Sequence, residues 1–181
     1  MSRKNWDQYF IEIAKQISTR STCNRLHVGA VIVKNKAILS TGYNGSISKL
    51  DHCDDVGHLM VDNHCVRTIH AESNAICQAA KNGICIDGAS IYITHSPCLN
   101  CFKLCASAGI KKIIFDKLYK DDLVESFANQ AKIELVNLDK LTTYTTKIKE
   151  LPSTVLASAG PLEEEIFDND IQSYVILSTV I

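Results

Sequence analysis

The stretch "IYITHSPCLNCFKLC", residues 91–105, decides how the rest of the chain is read. Its first half is β-branched and apolar and reads as a strand. Its second half opens a helix directly behind Pro97. Cys98 and Cys101 fall at that junction, two residues apart. From one helical turn both sulfurs reach a single ion, and a helix N-terminus favours their anionic form. A strand that feeds straight into a helix carrying such a pair is one step of an α/β fold.

Working outward, "NWDQYFIEIAKQISTR" (5–20) places Trp6, Phe10, Ile13, Ala14 and Ile17 at helical spacing. "HVGAVIVKN" and "AILSTGY" read as two strands joined by a turn at "KNK". Residues 43–69 form a long connection without periodicity, rich in His, Cys and Asp. A connection of this length in a compact domain is usually functional or stapled. A helix over about 70–82 stops at Asn82-Gly83. "ASIYITHS" is a strand, "CLNCFKLCASAGI" a helix with its stop at Gly109, "KKIIF" a strand, about 120–131 a helix, and "KIELVNL" a last strand. Two antiparallel strands followed by alternating helix and strand predict a three-layer α/β/α sandwich around a mixed five-stranded sheet.

The chain has 181 residues, enough for one domain of about 1–140 with an appendage at 141–181. The appendage is rich in Thr and Ser, carries Pro152 and Gly160-Pro161, and passes through "LEEEIFDND" to an apolar strand-like end. Its bland reading is a tail packed on the core or on a neighbouring subunit, and no chemistry is assigned to it. A formal charge of −1 gives no basic field for nucleic acid. No apolar run reaches the ~18–20 residues of a membrane span. "MSRKNWDQYF" lacks the apolar core of a secretory signal, so a cytoplasmic location is expected. In a reducing compartment the eight cysteines are buried apolar residues, metal ligands or reactive thiols. The first of these suits Cys77, Cys85 and Cys105.

His70 opens the helix over 70–82, and Glu72 follows two residues later. The bland reading is a helix start with an acidic first turn. With Cys98 and Cys101, however, His70 makes three ligands for a tetrahedral ion and leaves a fourth place for water, as in a catalytic zinc; a structural zinc closes all four. Glu72 is badly turned for ligation but well placed to move protons at such a water.

His-x-Glu followed by Pro-Cys-x-x-Cys resembles the signature of the zinc nucleobase deaminases. "RSTCNRLHVGAVIVKN", "STGYNGS", "HCDDVGH", "DNHCVRTIHAESNAI" and "YITHSPCLNCFK" narrow the resemblance, over residues 5–138, to the deoxycytidylate (dCMP) deaminases. Within that family the chain resembles the bacterial form, which includes a protein encoded with late-competence genes. The resemblance implies a cytidine-deaminase-like fold and conversion of dCMP to dUMP and ammonia, which supplies thymidylate synthesis. It also implies Glu72 as the proton carrier and the backbone near Ala71 and Ser96 as the holder of the ring's amide edge. Asn44 would hydrogen-bond the nucleotide, with Arg20, Arg25, Ser46 and Tyr119 as candidates for phosphate or sugar. For Arg20 and Arg25 the plain alternative is solvated surface.

Cys23, Cys53, His58, His64 and Cys65 are many soft ligands for one loop region. Some dCMP deaminases carry a second, structural zinc, with cysteines at the positions of Cys23 and Cys53. The expected second site is therefore Cys23, Cys53, His58 and either Cys65 or His64. The resemblance also implies a homo-hexamer and control by nucleotides: activation by dCTP with Mg2+ and inhibition by dTTP, through Gly42, Tyr43, Asn44 and Gly45, with Lys81 reaching across to a phosphate. On local sequence "GYNG" reads as a β-turn whose glycines permit a sharp bend near a ligand. Two other readings stand beside this one: a deaminase of another cytosine or adenine substrate, and a competence-associated nucleic-acid or assembly module without catalysis.

Overall fold

The computed structural model describes residues 3–119 and 122–139. The expected C-terminal extension, 141–181, lies outside the described residues. Helix α1 (Trp6–Ser18) begins at Asn5, whose side-chain oxygen accepts the Gln8 amide, a standard N-cap. Strands β1 (Gly29–Lys34) and β2 (Ala37–Tyr43) pair antiparallel. Asn35 and Lys36 both turn with positive φ, 53° and 64°, as a two-residue hairpin turn of this hand requires.

The chain from Tyr43 to Ile69 is more ordered than its sequence predicts. It contains β3 (Gly45–Ser46), α2 (Cys53–Val56), β4 (Met60–Val61), β5 (His64–Cys65) and β6 (Thr68–Ile69). Strand β3 pairs with β6, and β4 pairs with β5. These ladders are two residues long, too short to leave a periodic signature. Then come α3 (Ala71–Lys81), β7 (Ser90–His95), α4 (Leu99–Ser107), β8 (Lys112–Lys117), α5 (Asp122–Ala131) and β9 (Glu134–Asn137). Gly83 and Gly109 stop α3 and α4 in the left-handed region, φ 66° and 85°.

The five-stranded sheet runs β2-β1-β7-β8-β9, antiparallel through β7 and parallel from β7 to β9. Alternation sends Ala30, Ile32, Ile91, Ile93 and Ile113 to one face, where they pack on α3, α4 and α5. Val31, Val33, Tyr92, Ile114 and Val136 face α1 through Phe10, Ile11 and Ala14. The sandwich therefore has the expected three layers. One detail of α1 differs: Trp6 is half exposed, stacks on Phe10 and lies under the Lys36 ammonium, while Ile11 fills the core position. Of the three cysteines expected in the core, Cys105 is buried, whereas Cys77 and Cys85 are exposed because they lie on the outer side of α3 and in the turn after it. Among the described residues no helix is long and apolar enough to cross a membrane.

Candidate active site

His70 and Cys98 occupy equivalent positions. Each is the extended N-cap residue of a helix, α3 and α4 respectively, and neither side chain caps its own helix. Both side chains are thus free to face the gap between the two N-termini, where both helix dipoles favour anions. Cys101 joins them from the first turn of α4. His70 Nδ1 lies 3.6 Å from Cys98 Sγ and 3.4 Å from Cys101 Sγ. A tetrahedral zinc with bonds of about 2.0–2.3 Å spaces neighbouring nitrogen and sulfur ligands about 3.6 Å apart. The donor set and its spacing fit zinc, with only three protein ligands among the described residues.

The electrostatics fit the same assignment. Cys98 is held far below the ordinary thiol range, at about 3, by hydrogen bonds from Cys101 and His70. The hydrogen bond to Cys98 in turn raises His70. Sharing with Cys98, then burial, pushes Cys101 up. Glu72 is buried on the inner side of α3. Burial lifts its carboxyl from 4.5 to about 7, against the pull of its own backbone amide and of His70. A carboxyl that titrates near neutrality gives and takes protons readily.

The second expected cluster also assembles. Cys23, Cys53, His58 and Cys65 bring their ligand atoms within 4.8 Å of one another. Cys53 and Cys65 are 3.5 Å apart, and Cys23 Sγ is 3.7 Å from His58 Nδ1. Of the two alternatives for the last ligand, the fold selects Cys65. His64 is its neighbour on β5, so its side chain leaves on the opposite face, exposed and outside the group. Burial, followed by the neighbouring Cys65 and Cys23, raises Cys53 to about 12. Burial also presses Cys65 upward, but hydrogen bonds from the Arg67 amide, Cys53 and His58 bring it down to about 7. Four soft donors close this site, the pattern of a structural zinc.

The remaining expected residues are distributed unevenly. Asn44 is buried, and its side chain is committed to the loop before β1: Oδ1 accepts the Val28 amide and Nδ2 donates to the Leu26 carbonyl. One lone pair of Oδ1 and one N–H of Nδ2 are used in this bracing, so the amide keeps one acceptor and one donor position beyond it. "GYNG" is not a turn, since it continues β2 into β3. Gly42 and Gly45 are required by close packing rather than by a sharp bend. A Cβ on Gly42 would overlap the backbone of Ala71 and Ala75, and one on Gly45 would press on Thr22 Oγ1 at 2.9 Å. Tyr43 lines an open groove with Thr41, Asn74, Gln78 and Asn82, and Lys81 is exposed at the end of α3.

Ser96 and Tyr119 form one clasp. The Ser96 hydroxyl donates to the Tyr119 carbonyl and accepts the Tyr119 amide, while the Ser96 amide donates to the Lys117 carbonyl. This clasp engages the Ser96 hydroxyl and amide but not its carbonyl. Ala71 begins α3, so its amide is one of the helix's unpaired first-turn donors. Arg20 is exposed. Arg25 is tied to the β4–β5 hairpin through Met60 Sδ and the Asn63 carbonyl. Ser46 presents a buried hydroxyl without a hydrogen-bond partner among the described residues. Sequence reasoning missed Ser73, whose Oγ lies 3.6 Å from Cys101 Sγ; only the pairing of α3 with α4 reveals it.

Comparison with known proteins agrees with this geometry. The family model for the cytidine and deoxycytidylate deaminase zinc-binding region matches residues 4–117. ComE operon protein 2 of Bacillus subtilis (strain 168) is 44% identical over 174 residues, 92% of each chain. Deoxycytidylate deaminase of Enterobacteria phage T2 is 35% identical over 175 residues, covering 72% of this chain and 91% of its own. The crystal structure of dCMP deaminase from the cyanophage S-TIM5 in complex with dCMP and dUMP superposes with a TM-score of 0.66 at 31% identity, over 76% of this chain and 99% of that one. The family match spans both halves of the His70–Glu72 and Cys98–Cys101 constellation, and the chain belongs to the cytidine and deoxycytidylate deaminase family.

Proposed function

We propose that this protein hydrolyses dCMP to dUMP and ammonia. The observation that carries the reading is a buried Glu72 beside His70, Cys98 and Cys101 at two converging helix N-termini. The choice of dCMP among deaminase substrates is supported by the phage relative and by the cyanophage structure with dCMP and dUMP.

His70, Cys98 and Cys101 hold the zinc. When bound, zinc supplies a Lewis acid that brings a water to a pKa of about 7. Glu72 does the proton work: it takes a proton from the attacking water and delivers it to N3 of the ring, then takes the second proton of that oxygen and passes it to the departing amino group. The water oxygen ends as the C4 carbonyl and the nitrogen leaves as ammonia. The Ala71 amide and the Ser96 carbonyl supply a donor and an acceptor for the ring's amide edge. The buried Ser46 hydroxyl, together with Arg20, Arg25 and Tyr119, is assigned to the sugar phosphate.

The reading extends further in several respects. Cys23, Cys53, His58 and Cys65 hold a second zinc that staples the 43–69 excursion. Residues 1–140 are the catalytic domain and 141–181 an appendage. The enzyme acts in the cytoplasm, supplies dUMP for thymidylate synthesis and works as a homo-hexamer. Magnesium-bound dCTP activates it and dTTP inhibits it, through the groove beside Tyr43. Against the alternative of a nucleic-acid or assembly module without catalysis stands the complete set of His70, Glu72, Cys98 and Cys101.

Ammonia release from dCMP, CMP, dCTP, deoxycytidine and a cytosine-containing single-stranded oligonucleotide separates these readings. Turnover of dCMP well above the others is expected. Preference for another substrate, or binding of the oligonucleotide without ammonia release, would overturn the proposal.

A further inference from the structure

The three catalytic-site ligands are not equivalent in their surroundings. Cys98 is half-buried at the N-cap of α4, where the amides of the helix's first turn point. Cys101 is one turn further in, 2% exposed, with Phe102 and Cys105 buried beside it on the same helix. A thiolate in that position has lost its water. Its polar neighbour is the Ser73 hydroxyl at 3.6 Å, a normal length for an O–H···S hydrogen bond. Ser73 follows Glu72 directly on α3, and its hydroxyl has no other side-chain partner among the described residues.

We propose that Ser73 is a positioning residue of the metal centre, donating its hydroxyl hydrogen to the ligand sulfur of Cys101. The inference rests on reading His70, Cys98 and Cys101 as a zinc site. The direction of the hydrogen bond follows from that chemistry, since a metal-bound thiolate has no proton to give and can only accept. The bond does two things. It replaces the water that a buried thiolate lacks, which favours metal retention. It also draws electron density from sulfur, so Cys101 donates less charge to the metal and leaves it a stronger Lewis acid. Because Ser73 and Glu72 are consecutive on α3, the same helix sets both the proton carrier and the electronic state of one ligand.

The test uses the full-length protein as wild type, Ser73→Ala, Ser73→Thr and His70→Ala. Zinc affinity is measured by competition with a chromophoric chelator, counting only the zinc whose binding is lost in His70→Ala. Cobalt-substituted samples report the thiolate-to-metal charge-transfer band, and the Cys23–Cys53–His58–Cys65 site cancels in the difference spectrum between variants. Ser73→Ala is expected to weaken zinc about tenfold, the lower end for an outer-shell partner, and to move the band to lower energy. Ser73→Thr, which keeps the hydroxyl, restores both. Unchanged affinity and band in Ser73→Ala overturn the inference while leaving the zinc site intact. Equal losses in Ala and Thr overturn it too, because they trace to packing. A wild type without zinc sensitive to His70→Ala removes the zinc reading itself.

Discussion

Gly42 of β2 lies so close to the start of α3 that a single added methyl would overlap the backbone of Ala71 and Ala75. The catalytic helix thus rests directly on the second strand, with Asn74 Nδ2 donating to the Tyr43 carbonyl one residue further on. Backbone against backbone leaves no flexible side chain to give way. Gly42→Ala should therefore cost about 3 kcal/mol or more, the upper end for overpacking. Urea unfolding of Gly42→Ala beside the exposed control Thr41→Ala checks this. Equal midpoints for the two would mean that α3 can shift away freely.

Glu72→Gln preserves the shape of the buried side chain but removes its ability to carry a proton. Zinc content and thermal midpoint should stay near wild type, while turnover of dCMP falls by about 10²–10⁴-fold or more. Near-normal ammonia release from a zinc-loaded Glu72→Gln protein would remove Glu72 from the mechanism.

Elemental analysis should find two zinc ions per chain in the wild type and one in Cys53→Ala. The variant should also unfold at lower temperature and lose protection from proteolysis between Tyr43 and Ile69, because the second site is what ties α2 and the β4–β5 hairpin to Cys23. His64→Ala should keep both ions. One zinc in the wild type, unchanged in Cys53→Ala, would leave the four residues as buried thiols around an ordinary histidine.

His95 gives a pH dependence with a definite sign. Burial, and then the neighbouring Lys117, hold its pKa below the ordinary 6.5. The unfolded chain therefore binds a proton at His95 near pH 6.5 while the folded chain resists it. The stability that neutral His95 contributes is present above 6.5 and is lost as pH falls from there toward the lower folded value. Urea midpoints at pH 7.5 and 5.5 should drop less in His95→Gln than in wild type. An identical drop would show that His95 is protonated equally easily in both states.

The effector proposal is checked by dCMP saturation curves without effector, with dCTP and magnesium, and with dTTP. A coupling of ~1–3 kcal/mol would change apparent dCMP affinity by roughly 5–150-fold. The dCTP curve should lie to the left of the free enzyme and the dTTP curve to the right. Three superimposed curves would make the groove beside Tyr43 an ordinary surface feature.

Much of this protein is written locally. The strand–helix step at 91–105, the β1–β2 hairpin and the two Gly stops depend on periodicity and turn chemistry, which act over a few residues. The proposed catalytic residues are legible for the same reason. His70 with Glu72, and Cys98 with Cys101, are each close in sequence, and each pair stands where a helix begins. The tertiary structure alone decided what depends on distant segments meeting. It chose Cys65 over His64, because alternation along β5 sends neighbours to opposite faces and only one side faces Cys23 and Cys53. It gave Gly42 its reason in the approach of α3, turned Asn44 inward to brace Leu26 and Val28, and set Ser73 against Cys101. Each of these contacts joins residues 16 or more apart in sequence, or ranks two neighbours by which way the chain faces. Local pattern carries no information on either, because packing of whole elements sets it.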